Sequence, residues 1–296
     1  MNSIDIESKK FLGQPKNFVS IFNALLFDGQ PVLKPEYLKD ENSELVMNVS
    51  SKHVDIIKRY EDGTYLDLFV IESQSYVDQC MVARVMEYES VARMRYIRQN
   101  FKKHVPMHTR LPMILTVVLY VGESKWNAAK RLSELEIIHP GFEDMFNEFK
   151  LNLIELNTNH KYNTGEKATQ DFFDLLRMIY RKQILKEDLD REFNRDALYF
   201  AYVVTKNKEL LNIYQESEKG DVKVCRALDE MFEESINKGI QMGIKQGIEQ
   251  GVERGVKNTQ IKIAIKMLVR NNQTLEEISE IVGLDLDALK ELKKSI

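Results

Sequence analysis

All six prolines of this 296-residue chain (Pro15, Pro31, Pro35, Pro106, Pro112 and Pro140) fall in its first half, and none follows. Proline removes a backbone donor and interrupts both helix interiors and central strands. The front of the chain is therefore expected to consist of short mixed elements broken by turns, and the rear, dense in helix formers, to run as helices. The change comes near residue 160. A hydrophobic content of 43% with 30% charged residues belongs to a folded globular protein, and the length allows one large domain or two modest ones.

The front elements follow from periodicity. "PKNFVSIFNALLF" opens on proline and repeats apolar residues at Phe18, Ile21, Phe22 and Leu25, which is helix spacing. Three strands are expected next, "SELVMNVS", "HVDIIKRY" and "YLDLFVIE", the last two joined through Asp62-Gly63, a hairpin turn signal. "DQCMVARVMEYESVARMRYIRQNF" has no Gly or Pro and sets Met81, Val85, Tyr88 and Ala92 on one face, as a long amphipathic helix does. The strand "MILTVVLYVG" and an expected fifth, "LNLIEL", give an α-β-β-β-α-β order with additions, a mixed sheet flanked by helices.

From Asp171 to about Ile236 nearly everything reads as helix. A four-residue repeat, "GIQMGIKQGIEQGVERGVKN", then places glycines at 239, 243, 247, 251 and 255. Interior glycine costs about 1 kcal/mol relative to alanine, so this segment is either a linker helix or oligomerisation stalk that something packs against, or a partly disordered tether. Its Lys, Gln, Glu and Arg exclude a transmembrane GxxxG helix. In the tail, Thr274 with Glu277 forms a capping box, Gly283 suits a helix end and Asp285 can cap the next helix. Two short helices about a glycine resemble a helix-turn-helix, or a plain helical end-cap.

Cys80 and Cys225 lie far apart and outside any Cys/His cluster, which speaks against a disulfide framework or structural zinc and fits a reducing cytoplasm. The start carries no basic segment followed by an apolar one, and the strongest apolar run is too short to span a bilayer; no export and no membrane anchor are expected. The net charge is −4, yet Arg84, Arg93, Arg95, Arg98, Lys102, Lys103 and Arg110 are opposed over their span only by Glu87 and Glu89. Such a basic segment suits phosphate contacts.

The chemistry gathers at "YLDLFVIESQS", Tyr65 to Ser75. Strand alternation puts Leu66, Leu68, Val70, Glu72 and Gln74 on one face, so a carboxylate and an amide emerge together beyond the apolar packing. The hairpin partner carries Asp55, which a modest stagger brings near Glu72. Two carboxylates with a backbone carbonyl form an oxygen site suited to Mg²⁺, although acids at strand ends are more often solvated or paired with Lys or Arg. His53 shares a face with Asp55 but is a lone histidine, and Pro106 between His104 and His108 argues against a zinc pair. No P-loop signature is present.

"VDIIKRYEDGTYLDLFVIESQSYVDQCMVARVMEYES" with "RLPMILTVVLYVGESKW" resembles the recombination-promoting nuclease / putative transposase family of the PD-(D/E)xK nuclease superfamily, and the first helix and glycine-repeat tail are similar too. The resemblance implies an α/β, restriction-endonuclease-like fold that cuts DNA with Mg²⁺ (or Mn²⁺). By correspondence Asp55 and Glu72 are the metal-binding acids, the carbonyl of Ser73 is a further ligand, and Gln74 stands where the wider superfamily has a catalytic lysine. A neutral amide can orient water but cannot stabilise charge as lysine does. Ser20 stands where related first helices tend to carry an acid, with Asn23 three positions on. Arg84 matches a helix arginine that faces the site or pairs locally.

The expected organisation is thus a nuclease-like core over 1–165, a helical extension over 166–236, the repeat helix or linker over 237–258 and a small helix-turn-helix-like tail over 259–296. The leading expectation is a DNA endonuclease in which Asp55 and Glu72 hold the metal, Gln74 positions water, and the basic segment contacts DNA. A catalytically weak or inactive nuclease fold that binds DNA or self-assembles is the alternative, and a third is an assembly protein acting through its tail, with a homo-oligomer joined by the C-terminal helices.

Overall fold

The computed structural model describes residues 3–41, 56–63, 66–217 and 220–296. Asp55, His53 and the expected strand "SELVMNVS" lie outside the described residues. Two compact units divide the chain, Met1–Asp229 and Glu230–Ile296.

The first unit begins with α1 (Ser3–Leu12) and α2 (Pro15–Phe27), followed by β1 (Leu38–Asp40), β2 (Ile56–Glu61) and β3 (Leu66–Gln74). Next come α3 (Met81–Asn100), β4 (Ile114–Tyr120) and β5 (Asn152–Glu155). The strands form one sheet in the order β1-β2-β3-β4-β5. β1, β2 and β3 pair antiparallel, whereas β3, β4 and β5 run parallel, so the sheet is mixed and flanked by helices as the patterning predicts. Gly63, at φ 89°, sits in the β2–β3 turn, a backbone region in which a side chain would be strained.

The two faces of β3 serve different neighbours, as alternation requires. Phe69 packs on Phe22 of α2, ring centroids 4.8 Å apart, and on Tyr60 of β2. Leu68 and Val70 join Ile57, Tyr88, Ala92 and Ile114 in a cluster under α3. At the foot of the unit, Phe11, Phe172 and Phe200 stack with centroids 4.5 to 5.5 Å apart, tying α1 to α4 (Lys167–Arg181) and α5 (Arg195–Thr205).

After residue 166 the chain is helical as expected, with one small strand pair that the patterning does not announce. α4, α5 and α6 (Lys208–Glu216) are helices, but β6 (Glu192–Phe193) and β7 (Val222–Lys223) pair antiparallel among them. Two-residue strands are too short to display a period of two. α1 and β1 also escape periodicity reading, β1 being a three-residue strand at the sheet's margin.

α7 (Cys225–Arg270) runs unbroken through the glycine repeat. A Cβ built at Gly239, Gly243, Gly247, Gly251 or Gly255 meets nothing within 4 Å, so no neighbour among the described residues requires those glycines. α7 is followed by α8 (Leu275–Val282) and α9 (Leu286–Lys294), which close on Ala264 and Leu268 through Ile278, Val282 and Leu289. The capping box at Thr274 and Glu277, the left-handed Gly283 and the Asp285 cap on α9 all form. No helix among the described residues is long and apolar enough to cross a membrane.

Candidate functional site

The parallel strands end together. Gln74 pairs with Tyr120, and Tyr120 with Glu155, so the carboxyl ends of β3, β4 and β5 form one edge, the place where open α/β sheets present ligand sites. Glu72 and Gln74 lie on the α3 face of β3 and are nearly sealed, at 2% and 5% exposure. A charge so deeply buried has to be compensated.

Compensation comes from the strand itself and from α3. The amide Nε2 of Gln74 donates to Glu72 Oε1 at 2.7 Å, and the Arg84 Nη2 donates to the same oxygen at 3.2 Å. Arg84 also donates from Nη1 to Asp78 Oδ2, and from Nε and Nη2 to the Tyr88 hydroxyl at 3.0 and 2.7 Å. Tyr88 stands one turn beyond Arg84, the spacing at which helix side chains meet. Asp78 precedes the helix, and its Oδ1 accepts from the Cys80 N–H at 3.0 Å, which fixes the carboxylate at the start of α3.

The electrostatics follow this geometry. Burial pulls the Arg84 guanidinium down, but hydrogen bonds to Asp78 and Tyr88 and the charge of Glu72 outweigh it and hold the group above its ordinary range. Burial pushes the Tyr88 hydroxyl up, with the Arg84 hydrogen bond opposing. Gln74 is left with a sealed acceptor: its Oε1 is buried and has no hydrogen-bond partner among the described residues. A buried polar oxygen without a partner calls for a ligand, ion or water. Carboxylate and amide oxygens are hard donors of the kind Mg²⁺ takes while keeping several waters, so the donor set suits a divalent ion. No group of three or more His, Cys, Asp or Glu able to hold a metal exists among the described residues. Asp55 is not described; in sequence it immediately precedes Ile56, whose register partner Ile71 immediately precedes Glu72.

The remaining singled-out residues scatter. Ser73 lies on the opposite face of β3 from Glu72 and Gln74 by strand alternation and is partly buried. Ser20 donates toward Asn17 O and Thr169 Oγ1 at 2.8 Å, and Asn23 clasps Leu33 through both amide atoms at 2.9 Å. Both line a pocket of about 150 Å³ with Lys16, Thr164 and Glu166, so these first-helix residues serve the α2 packing. Arg84 is committed to Glu72, Asp78 and Tyr88, and Arg93 to Glu89 at 2.8 Å. Arg95 is partly buried, while Arg98, Lys102, Lys103 and Arg110 are exposed.

Those exposed cations sit at the other end of α3. Because β3 and β4 are parallel, α3 runs back along the sheet, and Ile114 pairs with Leu68 rather than with Gln74. From Arg84 to Arg98 the helix covers roughly 21 Å at 1.5 Å per residue. Sequence reading singled out neither Asp78 nor the Arg84–Tyr88 bond. Asp78 lies outside the helix and six residues from its partner, so no helical spacing announces it.

A family model described as "Putative transposase, YhgA-like" matches residues 36–210, which span Glu72, Gln74, Asp78 and Arg84. No curated protein and no solved structure matches the chain.

Proposed function

Because the chain belongs to the YhgA-like putative transposase family, which ties it to DNA transposition or recombination, we propose that it is a metal-dependent DNA endonuclease. Membership of the PD-(D/E)xK superfamily is consistent with that family. Glu72 and Asp55 would hold Mg²⁺ or Mn²⁺, with the carbonyl of Ser73 as a further ligand. Such an ion, when bound, polarises a phosphodiester oxygen and makes its water more acidic.

The carrying observation is the Glu72–Gln74 pair. Gln74 spends its donor on Glu72 and retains a sealed acceptor. An amide has both functions and a lysine only donors, so Gln74 can steady the metal-binding carboxylate and accept a hydrogen bond that orients the attacking water in one geometry. It brings no positive charge to the scissile phosphate.

DNA contact is assigned to Arg98, Lys102, Lys103 and Arg110, with Arg95 beside them. The roughly 21 Å between Arg84 and Arg98 along α3 is less than one turn of B-DNA, about 34 Å, so a single duplex reaches both. Contacts of this kind are phosphate-directed and strongly salt-dependent. Supercoiled plasmid incubated with Mg²⁺ tests the assignment: wild-type protein is expected to nick it, and Glu72→Gln and Asp55→Ala to lose at least about a hundredfold in rate, as removal of a metal ligand or its close supports does. Nicking that persists unchanged in both variants would sink the reading.

A second reading is favoured by the same arginine. Arg84 already holds Glu72, and a protein in which it never lets go would bind DNA without cutting. DNA retention in Mg²⁺ and Mn²⁺ without cleavage marks this alternative. Self-association belongs with either reading, through the row of Ile240, Ile244, Ile248, Val252 and Val256 on α7, each more than half exposed. Light scattering of Ile244→Lys/Ile248→Lys protein is expected to show a smaller mass than wild type.

A further inference from the structure

Arg84 serves two carboxylates at once, and it holds them unequally. Its contact with Glu72 Oε1, at 3.2 Å, is the longest of its contacts to oxygen, and the Nη2 that makes it is shared with the Tyr88 hydroxyl at 2.7 Å. Its Nη1 faces Asp78 alone among carboxylates, and its Nε is held by Tyr88 at 3.0 Å. Were the guanidinium to let go of Glu72, Asp78 and Tyr88 would still satisfy it, so no buried cation would be stranded. Glu72 Oε1 in turn would keep its bond from Gln74. The exchange leaves every described partner paired.

Resting on the reading of Glu72 as a metal ligand, we infer that Arg84 and Asp78 form a cation exchange gate: Arg84 neutralises Glu72 until a divalent ion arrives, and Asp78 receives the displaced guanidinium. Neither residue touches the ion; both are positioning residues. Like charges repel, so an arginine left on Glu72 competes with the metal. Asp78 sets the metal affinity by drawing that competitor aside. Its side chain, 16% exposed against 3% for Glu72, lies nearer solvent, where a charged pair is held at lower cost.

The test is a double-mutant cycle on the full chain, read as Mn²⁺ affinity by calorimetry and as the Mn²⁺-induced rise in melting temperature, both independent of DNA cleavage. Asp78→Asn keeps the Oδ1 that accepts from the Cys80 N–H and replaces the charged oxygen that receives Arg84 with a neutral amide. It is expected to weaken Mn²⁺ binding about tenfold, the usual effect of losing a partner beyond the ligands themselves. In an Arg84→Gln background, which has no competing cation, binding should tighten and Asp78→Asn should change nothing further; in an Arg84→Lys background the dependence on Asp78 should persist. If Asp78→Asn loosens the start of α3, Tyr88→Phe removes another anchor of the same guanidinium and should weaken Mn²⁺ in the same direction.

An Asp78→Asn effect that is absent, or equal in the wild-type and Arg84→Gln backgrounds, overturns the gate and leaves the metal site standing. Mn²⁺ binding that is absent, or unchanged by Glu72→Gln, overturns the metal reading and the gate with it.

Discussion

Two buried acidic clusters in the first unit make the instructive comparison. One surrounds Glu72, and the other is built on Asp171 and Asp174 of α4. Asp171 accepts from Arg191 at 2.7 Å, Lys167 at 2.6 Å and the Asn194 N–H at 2.7 Å. Asp174 accepts from Arg191 and Arg177, each at 2.8 Å. Every oxygen of Asp171 and Asp174 is met, the ion pairs of Arg191 and Lys167 extend to Asp188 and Asp221, and the network pins α4 to the β6 strand. Around Glu72 the Arg84 guanidinium bridges Glu72 and Asp78, and the Gln74 acceptor is left over. Burial of acids is common to both. What separates a strut from a candidate site is the unspent oxygen of Gln74.

That contrast can be broken by substitution, beginning with the largest effect. Asp171→Ala removes the buried acceptor shared by Arg191, Lys167 and the Asn194 N–H and is expected to cost about 3–5 kcal/mol, the penalty for breaking a buried pair, measured by urea unfolding. Glu72→Gln should cost less, about 1–3 kcal/mol, because the isosteric amide keeps an oxygen to accept from Arg84 and Gln74. Equal losses in the two variants would erase the distinction.

A pH effect belongs to the second cluster. Burial, with Asp188 adding to it, pushes the Cys225 thiol from 9.0 up to about 12. The unfolded thiol ionises first, so stability is full below pH 9 and falls as pH rises toward 12, by at most about 1.4 kcal/mol per unit. Cys225→Ser should flatten that decline, and a thiol reagent at neutral pH should modify the exposed Cys80 while Cys225 stays protected. Tyr88→Phe is expected to cost about 1 kcal/mol, the net value of a hydrogen bond. Smallest of all, Glu234→Ala removes an exposed pair with Lys238 at 3.3 Å and should shift stability by under about 0.5 kcal/mol.

The sequence made one half of this comparison legible. Alternation along β3 puts Glu72 and Gln74 on one face, the Asp62-Gly63 turn sets the hairpin, and the α8 and α9 caps follow from Thr274, Glu277 and Asp285. These features are local, with partners within a few residues. The Asp171 cluster joins α4 to residues 20 and 23 positions away, and the two-residue strands β6 and β7 depend on that tertiary frame. Asp78 was hidden because its partner is reached across the start of a helix. The placing of the cations was a matter of direction: a charge count finds Arg84 to Arg110 in one segment, whereas the parallel pairing of β3 with β4 sends Arg98 and Lys102 away from Glu72.

We propose that a divalent cation binds at the end of β3 and not at the Asp171 cluster. Calorimetric titration of Mn²⁺ into wild-type, Glu72→Gln and Asp171→Asn proteins tests it most directly. The account predicts that Glu72→Gln abolishes binding while the protein stays folded, and that Asp171→Asn loses stability yet keeps the wild-type Kd. Wild-type affinity retained in Glu72→Gln would contradict it.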